Sequence, residues 1–253
     1  MGELVVERLE SVMRITIDRQ ERRNALDAAT SAALDAAIDQ AEADDTIGAA
    51  ILTATGDRAF CAGMDMKEAA EIGSGHGLVP GRGFGGITQR KRRKPLIAAV
   101  NGAAVAGGFE LALACDLVIA AEHALFGLTE VKRGLFAFAG GIQRLACQLP
   151  RQTALSMILR GELLPAQRLY ELGLVTELVP SERLSERTLQ IAREMLENSW
   201  QAIQNGKALY EAAIDMPLER SLEYGMEFGK TTLDSPDSRE GVAAFAEKRD
   251  KRP

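Results

Sequence analysis

Met13, Ile15 and Ile17 alternate with Arg14, Thr16 and Asp18, the period-two pattern of a strand with one face buried. Leu4–Leu9 is a partner across a short turn, so the pattern predicts an opening hairpin. From Asp27, a residue suited to an N-cap, to Asp44 the period lengthens, and Leu34, Ala37, Ile38 and Ala41 share one face at helical spacing. Short apolar runs at residues 47–53, 96–101 and 117–121 have strand length, and helix-length segments separate them. The first two thirds thus read as mixed α/β.

Residues 72–86 break the pattern, being rich in Gly, with Pro80 and no apolar period; such a composition predicts a mobile loop. Beyond residue 163 the strand-like stretch 174–179 interrupts helical sequence, with helix starts at Ser181, near Pro217 and at Ser235-Pro236. The chain shifts from α/β to nearly all helix near residue 180. This predicts a core over residues 1–180 and a helical region over 181–253.

A chain of 253 residues with 46% apolar and 26% charged side chains is long enough to bury a large core without disulfides. The net charge of -6 runs against a nucleic-acid binder, whose footprint is a basic domain. No apolar run approaches the roughly 18 residues of a membrane span. Cys61, Cys115 and Cys147 are odd in number and widely spaced, which fits a reducing, cytoplasmic compartment. Neither His76 nor His123 sits at metal-ligand spacing, and the nucleophile-elbow pattern G-x-S-x-G is absent. Gly81, Gly83 and Gly86 have dinucleotide-turn spacing but follow Pro80 inside the Gly-rich stretch instead of a strand, so no dinucleotide site is expected. The run Arg90-Lys91-Arg92-Arg93-Lys94 is either a solvated face or a site for phosphates.

Backbone and carboxylates remain as candidate chemistry. Phe60-Cys61-Ala62-Gly63-Met64-Asp65 places a Gly turn after a strand, and Asn101 to Glu110 places Gly107 and Gly108 at a helix start. Such turns either expose N–H donors that could form an oxyanion hole or are simply tight turns. Glu110 and Glu130 each follow or enter apolar sequence. Burial there would raise their pKa toward the range useful for proton transfer, whereas an exposed place at a helix start would not.

At these residues the sequence resembles the enoyl-CoA hydratase/isomerase (crotonase) family. The resemblance runs through Arg22-Arg23-Asn24-Ala25-Leu26, Phe60 to Asp65, Lys94 to Gly102, Gly107-Gly108-Phe109-Glu110, Cys115-Asp116, Phe126-Gly127, Glu130, Gly140 to Leu145, Glu240-Gly241 and Ala244 to Arg249. It implies a spiral of strand-strand-helix turns, followed by C-terminal helices that build trimers, commonly paired into hexamers. It also implies an acyl-CoA thioester whose oxygen is held by the N–H groups of Met64 and Gly107. Glu110 and Glu130 would then flank the 2,3-double bond, which makes hydration of a 2-enoyl-CoA, or the reverse dehydration, the expected reaction. No metal or cofactor is called for, since coenzyme A is part of the substrate. Lys67 matches a position near the CoA moiety, while Phe245 and Lys248 match residues that reach the adenine end from a neighbouring subunit. Isomerases of the family commonly keep only the acid at the position of Glu130. Carnitinyl-CoA dehydratase-like enzymes share both, and some members of the fold are non-catalytic RNA-binding or scaffold proteins. Where hydratases of short acyl chains often carry a Pro-containing loop, this chain has Phe136 and Phe138, which predicts a bulky acyl-pocket wall.

Overall fold

The structure is a computed structural model and describes residues 3–73 and 75–249. Strands β1 (Leu4–Leu9), β2 (Val12–Ile17), β3 (Ala49–Ala54) and β4 (Ala59–Cys61) come first, with helix α1 (Ala28–Ala43) before β3 and α2 (Met66–Ile72) after β4. There follow β5 (Leu78–Val79), β6 (Gly83–Phe84), β7 (Leu96–Val100), β8 (Ala103–Val105) and α3 (Gly107–Leu113). Next are β9 (Leu117–Ala121), β10 (Leu125–Gly127), α4 (Gly141–Gln148), α5 (Arg151–Arg160), β11 (Leu164–Pro165), α6 (Ala166–Glu171) and β12 (Glu177–Val179). The helices α7 (Leu184–Leu196), α8 (Trp200–Ala213), α9 (Leu218–Leu233) and α10 (Pro236–Glu247) complete the order.

The hairpin β1–β2 forms as the alternation predicts, with Ile15 and Ile17 fully buried. Asp27 caps α1 by accepting the Thr30 N–H at 2.7 Å, and Leu34, Ala37, Ile38 and Ala41 are its buried face. A six-stranded sheet runs β1-β2-β3-β7-β9-β12 and a four-stranded sheet β11-β10-β8-β4. Apart from the hairpin β1–β2 and the antiparallel pair β10–β11, the neighbours in both sheets are parallel. The connectivity explains this. Each passage of chain leaves one strand in the first sheet (β3, β7, β9) and the next in the second (β4, β8, β10), and a helix or turn returns it. The result is the expected spiral of strand-strand-helix turns. All five residues of β7 are buried, as a central parallel strand covered on both faces requires.

The Gly-rich stretch differs from its prediction. Ser74 lies outside the described residues, but β5 and β6 make a short antiparallel hairpin, with Leu78 opposite Phe84 and Val79 opposite Gly83. Arg82 pins the hairpin to α1 through Asp35 at 2.9 Å and through Asp39. Phe84 and Ile87 enter the core. Glycine-rich composition signals mobility because it favours turns, yet here the glycines let the backbone lie close to its neighbours. A methyl group at Gly86 would stand 2.4 Å from Asp35 Cβ. The dinucleotide spacing of Gly81, Gly83 and Gly86 is thus a by-product of this hairpin and the turn after it.

Most of the basic run is turned inward and is neither a solvated face nor an open site for phosphates. Arg90 pairs with Asp35 at 2.8 Å, and Arg93 donates to the Glu42 carbonyl at 3.0 Å. Arg92 and Lys94 are buried, donating to the carbonyls of Ala114 at 2.6 Å and of Ala41 and Asp44 at 2.7 Å each. Only Lys91 and Arg93 of the five are exposed. Arg90, Arg92 and Lys94 are thus internal fastening to α1 and the end of α3, which leaves little of the run to serve as a basic surface for phosphates or RNA.

The chain divides into two compact units, up to Ala192 and from Arg193. In the second, Ser199 and Ser235 cap α8 and α10, with Pro236 in the first turn of α10. Asn205 ties α8 to α9 through Thr232 at 2.8 Å. Along α9, Leu218, Leu222 and Met226 repeat at four-residue spacing and are 75%, 65% and 66% exposed. No helix among the described residues is long and apolar enough to cross a membrane.

Candidate active site

Strands β4, β8 and β10 are parallel neighbours, so their C-terminal ends lie side by side. The chain leaving each delivers one group to a common place: Met64 after β4, Gly107 after β8 and Glu130 after β10. Carboxyl ends of parallel strands are the usual place for ligands in α/β proteins. Here they open into a cavity of about 600 Å³ lined by these three residues together with Glu110, Lys67, Phe84, Phe136 and Phe138.

The two amides owe their direction to residues held at positive φ. Leu26 accepts the Asp65 N–H and donates to the Gly63 carbonyl, both at 2.8 Å, so the bridge engages both neighbours of Met64 and turns its own N–H to the opposite side. Gly63 permits this at φ +90°. Ahead of Gly107, Ala106 sits at φ +54°, a conformation that strains a residue with a side chain, and its N–H is fixed to the Gly127 carbonyl at 2.9 Å. Gly107 opens α3, where first-turn N–H groups have no helical acceptor. The two turns touch, for a methyl group at Gly63 would stand 3.0 Å from the Gly107 nitrogen. Two amide donors side by side at a cavity wall are suited to an oxygen that gains negative charge.

Glu110 lies in the first turn of α3 and is 3% exposed. Its Oε1 accepts the Gly141 N–H at 2.9 Å. Burial pushes its carboxyl up to about 7; the neighbouring Glu130 adds to this, while the Gly141 and Ala139 amides and Arg144 oppose it. Glu130 begins a short 3-10 turn, Glu130–Arg133. Burial raises its carboxyl as well, against the pull of Arg133, and its buried Oε2 has no hydrogen-bond partner. Two carboxyl groups that interact and are both held above their ordinary range suit proton transfer near neutrality.

Phe136 and Phe138 stack edge to face at 5.8 Å and are 61% and 48% exposed, so they stand on the rim and not in the floor of the cavity. The floor beside Gly107 is Phe84, which composition alone assigns to a mobile loop. Lys67 is exposed in the first turn of α2, with its backbone N–H donating to Asp65 Oδ1 at 3.0 Å. Phe245 and Lys248 belong to the second unit, Phe245 being 88% exposed and Lys248 the left-handed C-cap of α10. Sequence reasoning also passes over Gly141 and Arg19, since nothing in one sequence announces that a residue's amide or guanidinium will meet a carboxylate far along the chain.

The family model described as enoyl-CoA hydratase/isomerase matches residues 7–252. Among solved structures, the chain is similar to an enoyl-CoA hydratase from Mycobacterium tuberculosis, with 40% identity, a TM-score of 0.94, and 99% of this chain and 98% of that one covered. It is also similar to a carnitinyl-CoA hydratase from Mycobacterium avium, at 42% identity and a TM-score of 0.80, with 99% and 98% covered. A carnitinyl-CoA dehydratase from Salmonella typhimurium is 37% identical over 244 residues, which is 94% of this chain and 93% of the relative. By sequence match along almost its whole length and by the spiral that carries its site, the chain is a crotonase-fold enzyme of the enoyl-CoA hydratase/isomerase family.

Proposed function

We propose that the protein adds water across the 2,3-double bond of a 2-enoyl-CoA thioester, or removes it in the reverse direction. The observation that carries this reading is that Glu110, Glu130, Met64 and Gly107 line one cavity. A thioester oxygen held by the two amides takes up the charge that develops as water attacks C3, the largest stabilisation available in such a site. Glu110, held by backbone donors that favour its ionised form, takes the proton from the water. Glu130, whose Oε2 has no hydrogen-bond partner, carries the proton that goes to C2. The C–O bond forms at C3 while the π electrons pass to the thioester oxygen and return to C2 with the proton. The proton left on Glu110 is then lost to solvent and Glu130 takes one up, so the sum is one water added and both carboxyl groups return to their starting states.

A carnitinyl-CoA dehydratase-like reaction uses the same steps and is supported by the similarity to a carnitinyl-CoA dehydratase and to a carnitinyl-CoA hydratase. Its trimethylammonium group would find the Phe136 and Phe138 faces favourable and Arg133, which also lines the cavity, unfavourable. An isomerase needs only the acid at Glu130 and leaves Glu110 without a task.

The same reading includes a homotrimer, or a dimer of trimers, built through the second unit. The exposed stripe Leu218, Leu222 and Met226 supports it, since apolar repeats of this size mark interaction faces. Phe245 and Lys248 would then reach the adenine end of CoA in a neighbouring subunit, with Lys67 near the CoA of its own. A cytoplasmic location agrees with the free thiols of Cys61, Cys115 and Cys147. The test is a panel of straight, branched, aromatic and cyclic 2-enoyl-CoA thioesters, followed by loss of the conjugated absorbance. One class should turn over, and silence across the panel would overturn the reading.

A further inference from the structure

Arg19 follows β2 and is 5% exposed, with no place in the cavity wall. Its backbone N–H donates to Asn24 Oδ1 at 2.9 Å, and Asn24 Nδ2 donates in turn to the Ala59 carbonyl at 2.7 Å and the Thr55 carbonyl at 3.0 Å. The residue is therefore tied to the ends of β3 and β4. Its guanidinium meets three carboxylates: Nη2 lies 2.7 Å from Asp27 Oδ2 and 3.3 Å from Asp65 Oδ2, and Nε lies 3.0 Å from Glu3 Oε2. Nη1 donates to the Ala25 carbonyl.

The two aspartates divide their oxygens in the same way. Asp27 gives Oδ1 to the Thr30 N–H at the start of α1, and Asp65 gives Oδ1 to the Lys67 N–H at the start of α2. Each turns Oδ2 to the one guanidinium nitrogen between them. Asp65 directly follows Met64, and its own N–H makes one of the two bonds to Leu26 that aim the Met64 amide. Without the cation, two largely buried carboxylates would face each other across the join of α1 and α2. Their repulsion would act directly on the Leu26 bridge. Asp65 stays ionised: burial pushes its carboxyl up, but the Lys67 and Glu68 amides, Arg19 and Arg22 outweigh that and hold it below its ordinary value.

We propose that Arg19 is a positioning residue for the oxyanion hole, aiming the Met64 amide by neutralising Asp27 and Asp65 where their helices begin. The proposal rests on the oxyanion reading of Met64. It differs from a general structural role in one respect: removing the Asp65 charge should repair the loss of Arg19, because Asn at 65 still caps α2 through its carbonyl oxygen.

The test compares the full-length wild type, Arg19→Met and Arg19→Met/Asp65→Asn. Two readouts are needed, hydration kinetics and the red shift of cinnamoyl-CoA on binding, which reports polarisation of the thioester carbonyl by its donors. Arg19→Met should lose most of the red shift and about 30-fold in kcat, with KM moving less than about threefold. The double variant should regain the shift and at least about tenfold of the lost kcat. If Arg19→Met proves too unstable to assay, Arg19→Gln and Arg19→Gln/Asp65→Asn take the same places, since an uncharged amide can still donate hydrogen bonds but leaves both aspartates without a cation. A single variant with full shift and kcat, or a double variant no better than the single, overturns the proposal. No red shift in the wild type would instead overturn the oxyanion reading beneath it.

Discussion

The Gly141 N–H points at Glu110 Oε1 across 2.9 Å, joining the first residue of α4 to a carboxylate in the first turn of α3. A methyl group at Gly141 would stand 2.9 Å from Glu110 Cγ, so the approach depends on glycine. The bond orients the carboxylate and favours its charge, yet burial outweighs it and lifts the carboxyl from 4.5 to about 7. If Glu110 must be ionised and Glu130 protonated, kcat/KM should rise with pH as Glu110 ionises and fall again as Glu130 loses its proton, a bell-shaped profile. A flat profile from about pH 6 to 8 would contradict that role.

The same shift has a consequence for stability. Because the folded pKa is raised, the unfolded chain releases a proton between 4.5 and about 7 that the folded chain keeps, so Glu110 costs stability progressively as pH rises through that window. Glu110→Gln should therefore be more stable than the wild type above pH 7, by up to about 3 kcal/mol, and gain nothing near pH 4. Denaturant unfolding at the two pH values checks this. A difference that does not change with pH would show that Glu110 is not held above its ordinary value.

Glu110→Gln and Glu130→Gln should each lower kcat by about 10² or more and leave the affinity for a CoA thioester nearly unchanged, since each removes proton transfer and not ground-state contact. Steady-state kinetics with calorimetry separate the two effects. If only Glu130 proved essential, an isomerase would be the better reading.

Much of this site is legible in the amino-acid sequence. Asp27 as a cap, the buried face of α1 and the strand Leu117–Ala121 follow from local pattern, because period and capping are properties of short segments. The candidate carboxylates and amides are legible as a set through the ordered motifs of the family. What pattern cannot reach is long-range pairing. Arg90 and Arg92 look like surface charge until α1 and the end of α3 are laid against them. Arg19 carries no local mark at all, because its partners Glu3, Asp27 and Asp65 are brought together only by the fold. The Gly-rich stretch misleads for a related reason, in that glycine signals freedom of the backbone but also permits the close packing seen at Gly86 and Gly107.

That hairpin gives a prediction opposite to the one its composition suggests. With Gly85 N–H bonded to the Gly77 carbonyl at 2.9 Å and Arg82 held by Asp35 and Asp39, residues 77–86 should resist hydrogen exchange without ligand. Free CoA should add little, and Arg82→Ala should speed exchange across the segment. Exchange at unfolded rates until an acyl-CoA binds would mean that the wall is a lid after all.

Assembly offers a separate check. Leu222→Glu/Met226→Glu places two charges in the exposed stripe of α9 and, if the proposed trimer or hexamer forms through that stripe, should yield a smaller species by light scattering. Unaltered mass would move the interface away from α9.

In the proposed reaction this cavity adds water to C3 and a proton to C2 of an enoyl thioester. Turnover of a 2-enoyl-CoA identified in the panel, run once in oxygen-18 water and once in deuterium oxide, tests it most directly by mass spectrometry of the product. The wild type should form a 3-hydroxyacyl-CoA with one solvent oxygen at C3 and one deuterium at C2, and Glu110→Gln and Glu130→Gln should both lose it. A product whose double bond has moved, with deuterium but no solvent oxygen, would contradict it.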